Sequence, residues 1–256
     1  MNQKIVALID SLKGQAGLII GDPQNIEFSY QENRPFPAAS IIKLYVLWEL
    51  YRQVDEGSKK IDEIILLPEK SKVGGFGVLS NLREHLALTL RDLGVLMIIV
   101  SDNTATNLLI DHLGITNIQK TASQMGWTGT KIARKMFDEQ AQKLGLENYT
   151  TATDTANLLA RLLEKGDDLS QSAKEDFLHI LINQKFNNKL PGRWPRGSAL
   201  FAHKTGEINY NEHDAGILFT PQGPKLIVAL TGELQENWHG VLFQNELGEV
   251  LANFWK

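Results

Sequence analysis

The chain has 256 residues, 43% hydrophobic and 22% charged, enough to bury a sizeable core in one large domain or two closely packed lobes. Its formal net charge of -4 and scattered basic residues argue against nucleic acid or an anionic membrane surface as partner. Cysteine is absent, which excludes disulfide scaffolds, thiolate catalysis and zinc sites built on Cys.

The opening residues 3 to 13 repeat with helical period and run into Gly14, which predicts a short first helix. No apolar stretch with a small-residue cleavage site follows. The product is therefore expected to be cytoplasmic as written, or periplasmic or secreted if the sequence is a mature form. Two strands are expected at Ala16 to Ile20 and Ile26 to Tyr30, joined by the turn-rich Gly21-Asp22-Pro23-Gln24. Pro35 and Pro37 stop regular structure just before Ser40. From Ser40 to about Val54 the residues are apolar almost all the way round, the mark of a buried helix.

Further helices are expected at about 88 to 99 with Thr89 as N-cap, 104 to 113 before Gly114, 154 to 165 before Gly166, and 172 to 184. The longest apolar run, Val95 to Val100, is far short of the roughly 20 residues that span a bilayer, so no membrane span is expected. Ala199 to His203, Ala215 to Thr220 and Leu226 to Thr231 read as strands, and a helix at about 237 to 255 closes the chain. Strands at both ends with helices between predict an α+β fold. Its single antiparallel sheet is assembled from both termini, with an all-helical lobe inserted. The expected organisation is one domain over 1–256, with a sheet lobe at about 1–38 and 188–256 and a helical lobe at about 39–187.

Three short motifs stand in order: Ser40-Ile41-Ile42-Lys43, Ser101-Asp102-Asn103 and Lys204-Thr205-Gly206. An S-x-x-K alone arises by chance about once in a chain of this length, but the ordered trio is rarer by about three orders of magnitude. Ser40 and Lys43, at i and i+3, share one helical face, so the lysine can reach the hydroxyl. Ser40 sits in the first turn, where unpaired N–H groups favour a developing alkoxide. A lysine in an apolar helix gives up its charge more readily than one in water, which suits it as a base. Ser101 offers a hydroxyl to relay a proton to a leaving nitrogen, and Asn103 an amide for a substrate carbonyl. Asp102 serves the turn rather than the reaction. Lys204 and Thr205 sit at the end of a strand and suit a carboxylate, and the missing side chain of Gly206 lets a ligand lie along the backbone.

The trio, the run Leu88 to Leu109 and the stretch Leu190 to Gly206 resemble the class A serine β-lactamases and the wider family of penicillin-recognising serine hydrolases. The resemblance extends over nearly the whole chain. It implies a five-stranded antiparallel sheet flanked by helices. It also implies Ser40 as the acylated nucleophile, Lys43 and Ser101 as proton handlers, and Asn103, Lys204, Thr205, Gly206 and Glu207 as substrate-binding residues. The backbone N–H groups of Ser40 and Glu207 would form the oxyanion hole. A β-lactam or a peptidoglycan-type peptide is the expected partner, with no nucleic acid, no cofactor and no metal, and a monomer is the expected state.

One stretch departs from the family. Class A enzymes carry a glutamate and, four residues on, an asparagine that hold the deacylating water. Aligning Arg134 with the arginine that starts this loop puts Met136 where the glutamate belongs. Asp138 and Glu139 follow out of register as substitute bases, and Glu147 lies near the far end. Acylation is thus expected to be intact and deacylation slow. Glu207 is unusual too, since a carboxylate beside the K-T-G motif weakens attraction for an anionic substrate. His203 and His213 flank that strand, either lining the cleft or lying on the surface, and Lys225 is a weak match to an arginine that binds substrate carboxylates. Three readings follow: a hydrolase opening β-lactam rings, a D-alanyl-D-alanine peptidase or esterase of the same fold, and a non-hydrolytic binding protein on this scaffold.

Overall fold

A computed structural model describes residues 1–166, 168–195 and 197–255, so the last residue of the expected span, 256, lies outside the described residues. Helix α1 (Asn2–Ser11) leads into the hairpin β1 (Gln15–Asp22) and β2 (Asn25–Tyr30). The two-residue strand β3 (Phe36–Pro37) and a 3-10 turn at Ala39–Ile41 then deliver the chain into α2 (Ile42–Asp55). Strands β4 (Ile64–Leu66) and β5 (Ala87–Thr89) pair, and Thr89 and Asp92 form a reciprocal capping box that starts α3 (Leu90–Ile99). Asp102 caps α4 (Asn103–Leu113), and Gly114, at φ 85°, turns the chain into α5 (Ile115–Gln124).

A short α6 (Glu139–Lys143) lies in the long loop before β6 (Tyr149–Thr150), which pairs with β3. Helices α7 (Ala152–Arg161) and α8 (Gln171–Ile182) follow. Strands β7 (Leu200–Ile208), β8 (Asn211–Thr220) and β9 (Gly223–Gly232) then precede α9 (Asn237–Phe254). The main sheet has five antiparallel strands in the order β2-β1-β9-β8-β7, so the N-terminal hairpin docks on the last strand of the chain. The fold is α+β, as the sequence predicts.

The sheet is buried on both faces, which explains the near-continuous apolar runs in β1 and β9. Leu226, Val228 and Leu230 face a core built with α2, α3, α4, α7 and α8, while the alternating Ile227 and Ala229 face α1 and α9. The all-round apolar α2 is the centre of the larger core, with Trp48 fully buried.

Several boundaries differ from expectation. Strand β7 runs on to Ile208 because each residue of the polar Lys204-Thr205-Gly206 stretch keeps a partner on β8, with Gly206 opposite His213. The K-T-G motif therefore lies within an edge strand rather than at its end. Leu88 and Thr89 belong to β5, so that helix starts at Leu90. Thr151, not a later residue, caps α7 by accepting from the Asp154 N–H. Helix α5 is missing from the sequence reading although its apolar Ile115, Ile118 and Ala122 stand at helical spacing.

Candidate active site

The chain is anchored just before Ser40: the Ala38 N–H donates to the Asn148 carbonyl at 2.8 Å, and β3 pairs with β6. Ala39 (φ 45°) and Ser101 (φ 54°) both occupy the left-handed region, which a residue with a Cβ enters only at a cost. Each holds one of two facing hydroxyls, and the Ser101 Oγ donates to the Ser40 Oγ at 2.9 Å.

Lys43, one helical turn beyond Ser40, is fully buried. Its Nζ donates to the Ser101 carbonyl (2.7 Å), the Ser101 Oγ (3.0 Å) and the Asn103 Oδ1 (2.9 Å). No Lys43–Ser40 hydrogen bond stands among the described residues, so the lysine reaches the nucleophile through Ser101. Burial pulls the Lys43 ammonium down to about 7 against the opposing pull of Asp102. Near neutral pH a sizeable fraction is therefore neutral, and a neutral amine gives up one of its three donated bonds. Lys204 Nζ donates to the same Ser101 Oγ at 3.1 Å and to the Thr205 carbonyl at 2.8 Å. Its charge is disfavoured first by burial, then by Lys43 and Lys189.

A second set of buried groups fixes these elements. The Asp102 carboxylate accepts from the N–H groups of Ala105, Val78 and Leu79, tying the start of α4 to the preceding loop. Lys189 pairs with buried Glu212 at 2.5 Å and donates to the Gly206 carbonyl at 2.6 Å, clamping β7 from below. The Cβ position of Gly206 would meet the His213 ring at 3.1 Å and Ile41 at 3.2 Å. Its glycine is thus demanded by packing within the protein.

The loop bearing Met136 is held at both ends and in the middle. Arg134 forms a two-pronged pair with Glu147, both contacts at 2.9 Å, which closes the loop on itself. Asn107 clamps Met136 by its backbone, accepting from Met136 N (2.8 Å) and donating to Met136 O (3.0 Å). Asp138 caps α6 by accepting from the Ala141 N–H, and Glu139 is exposed.

Two cavities open on Ser40, and Ser40, Phe76 and Glu207 line both. One, of about 230 Å³, adds Ser101, Lys185, Phe186, Lys189 and Thr205; the other, of about 580 Å³, adds Asn103, Met136, Phe137, Glu139 and Ile208. Phe76 and Phe186 meet edge to face across the first, with ring centroids 5.4 Å apart.

The structure thus brings Ser40, Ser101, Asn103, Thr205 and Glu207 to one cleft, with Lys43 and Lys204 bonded to Ser101 behind it and Met136 and Glu139 lining the larger cavity. Two readings need correction. His203 and His213 are fully buried: His203 bonds Asp214 (2.7 Å) and Asn187 (3.0 Å), and His213 bonds Pro37 (2.8 Å). Lys225 is bound to Asp22 and Glu27, each at 2.8 Å, and lines neither cavity. The sequence reading missed Asn107 and Lys189. Asn107 was findable, one helical turn after Asn103 on the same face, whereas nothing local marks Lys189. Among the described residues no group of three or more His, Asp or Glu side chains is placed to hold a metal, and no helix is long and apolar enough to cross a membrane.

A family model described as "Beta-lactamase enzyme family" matches residues 1–255. A curated β-lactamase of Bacteroides uniformis is 24% identical over 247 residues, covering 90% of this chain and 81% of its own length. Among solved structures, a β-lactamase from Sphaerobacter thermophilus superposes with a TM-score of 0.88 at 30% identity, covering 97% of this chain and 95% of its own. A protein titled PBP-A superposes with a TM-score of 0.87 at 26% identity, covering 98% of this chain and 94% of its own.

Proposed function

The chain belongs to the beta-lactamase enzyme family, and we propose that it is a class A-like serine hydrolase that opens β-lactam rings through an acyl-Ser40 intermediate it discharges slowly. The observation that carries the proposal is the unbroken chain Ser40 Oγ, Ser101 Oγ, Lys43 Nζ, built from buried groups. With Lys43 neutral, Ser40 passes its proton to Ser101 as Ser101 passes its own to Lys43, and the Ser40 oxygen attacks the lactam carbonyl. The new C–O ester bond forms, the C–N bond breaks, and the ring nitrogen takes a proton back through Ser101. The net transfer is one proton from the Ser40 hydroxyl to the leaving nitrogen. The N–H groups of Ser40 and Glu207, two of the residues that border both cavities, serve as oxyanion donors. Lys204 and Thr205 take the substrate carboxylate, and Asn103 the acyl-side carbonyl.

Release of the ester requires a water and a base. Met136 brings no titratable group to the wall where the family glutamate would stand, Asp138 is engaged as a cap, and Glu147 is engaged by Arg134. Glu139 alone of these carboxylates is free to reach the cleft. The same observation favours a second reading, a penicillin-binding peptidase or esterase for which β-lactams act as trapping agents, and the likeness to PBP-A supports it.

The test is intact-mass spectrometry over time after mixing with benzylpenicillin, beside a chromogenic cephalosporin assay. An adduct that maps to Ser40, persists, and is missing in Ser40→Ala is the expected result. Fast colour release with no persistent adduct removes slow discharge and leaves an efficient β-lactamase. No adduct and no colour, with Ser40→Ala indistinguishable from the parent, overturns acylation altogether and leaves a binding protein.

A further inference from the structure

The two cavities at Ser40 differ in their charged groups: lysines border the small one and unpaired carboxylates the large one, with Glu207 shared between them. The small side is lined by Lys185 and Lys189, with Glu207 at its border and Lys204 behind it on Ser101; Lys189 is neutralised by Glu212, while Lys185 has no ion pair among the described residues. On the large side the only cation among the described residues is Arg134, whose guanidinium is committed to Glu147. Two carboxylates line that chamber with neither an ion pair nor a side-chain hydrogen bond among the described residues: Glu139 at the start of α6 and Glu207 on β7. They come from different elements that border one chamber, and both are exposed. The rest of that chamber is largely apolar, with Met136, Phe137 and Ile208. In the reaction geometry proposed above, the substrate carboxylate lies on the lysine side, and the acyl side chain must enter the large chamber.

We infer that the cleft selects zwitterionic substrates. Glu139 and Glu207 recognise an ammonium group on the acyl side chain, while the lysine side holds the carboxylate across Ser40. The inference rests on the acyl-Ser40 reading and adds the substrate class. An apolar wall with two uncompensated carboxylates favours an aromatic or aliphatic acyl group bearing an amine, and it repels an acyl group bearing a second carboxylate.

Three penicillins that differ only at the carbon next to the acyl carbonyl form the test. Benzylpenicillin is unsubstituted there, ampicillin carries an ammonium, and carbenicillin carries a carboxylate. The second-order rate of Ser40 acylation is read by intact mass, which needs no turnover. The expected order is ampicillin, benzylpenicillin, carbenicillin, with about tenfold or more between the extremes. That figure follows from two exposed charges, each worth up to about fivefold. Glu139→Gln and Glu207→Gln together should collapse the ratio toward unity, and because the ratio is taken within one variant, any general loss of acylation cancels. Added salt should shrink the ratio in the parent protein. Equal rates for the three penicillins, or a ratio that survives the double substitution, overturns the inference while leaving Ser40 acylation standing. Failure of all three to acylate Ser40 overturns both.

Discussion

The Ser101 hydroxyl accepts from two lysines and donates to Ser40, so both of its acceptor positions and its single donor are in use. These bonds run opposite to the proposed relay, so a neutral Lys43 must stop donating to the Ser101 hydroxyl and accept from it instead, which turns the Ser101 proton away from Ser40. The observed geometry also makes the left-handed backbone at Ser101 intelligible, since the carbonyl and the hydroxyl of the same residue both accept from Lys43. Met136 is the complementary case, a residue held firmly in a place where it can do no acid–base chemistry. Because Asn107 pins its backbone from both sides, a substituted side chain there keeps its position. Met136→Glu should therefore shorten the lifetime of the Ser40 adduct by at least about tenfold, since a positioned general base contributes about 10² to 10⁴. Adduct decay followed by intact mass checks this, and an unchanged lifetime refutes the register set by Arg134.

At the scale of elements, the reactive residues are held by caps and clamps between helices rather than within them. Asp102 caps α4 with one oxygen and gathers the Val78 and Leu79 N–H groups with the other, at 2.6 and 2.8 Å. It is 1% exposed, so removing its carboxylate strands buried donors. Asp102→Ala should lower unfolding stability by about 3 kcal/mol, and Asp102→Asn, which keeps one acceptor, by less. Urea midpoints with an unchanged slope would report it, and equal losses for both variants would contradict the account. The turn after Ser101 is thus a structural joint whose Asp serves folding while its Ser and Asn face Lys43.

Over the whole molecule, the two ends of the chain are joined at His213. Its Nε2–H donates to the Pro37 carbonyl at 2.8 Å, and its Nδ1 accepts from the Thr231 N–H at 3.2 Å, which links β3, β8 and β9. Both nitrogens are committed to the neutral ring, and a second proton would set an N–H against the Thr231 N–H. Burial, the largest cause, holds the His213 pKa down at about 4, from 6.5 for a free imidazole. Between those values the unfolded chain binds more protons than the folded one. The stability from His213 is therefore full above about 6.5 and is lost as pH falls toward 4, by about 3 kcal/mol. His213→Gln should flatten that part of the stability–pH curve, measured by urea unfolding at a series of pH values. An unaltered curve would show that the histidine does not carry the dependence.

Local pattern was enough for much of this protein. The helix-period apolar run after Ser40, the alternating strands at both ends, and three ordered motifs with their flanks settled the α+β class and pointed to the residues gathered in the cleft. Those features repeat over two to four residues, which is the range of backbone periodicity and side-chain spacing. Tertiary structure decided what depends on distant partners. Strand β7 runs through its polar motif because β8 lies beside it, and His203, His213 and Lys189 are interior because Asp214, Pro37 and Glu212 receive them. Burial and hydrogen bonding between partners 11 to 176 positions apart leave no mark on the immediate neighbours in sequence. For the same reason Lys43 was placed beside Ser40 by helical spacing, and only the fold put Ser101 between them.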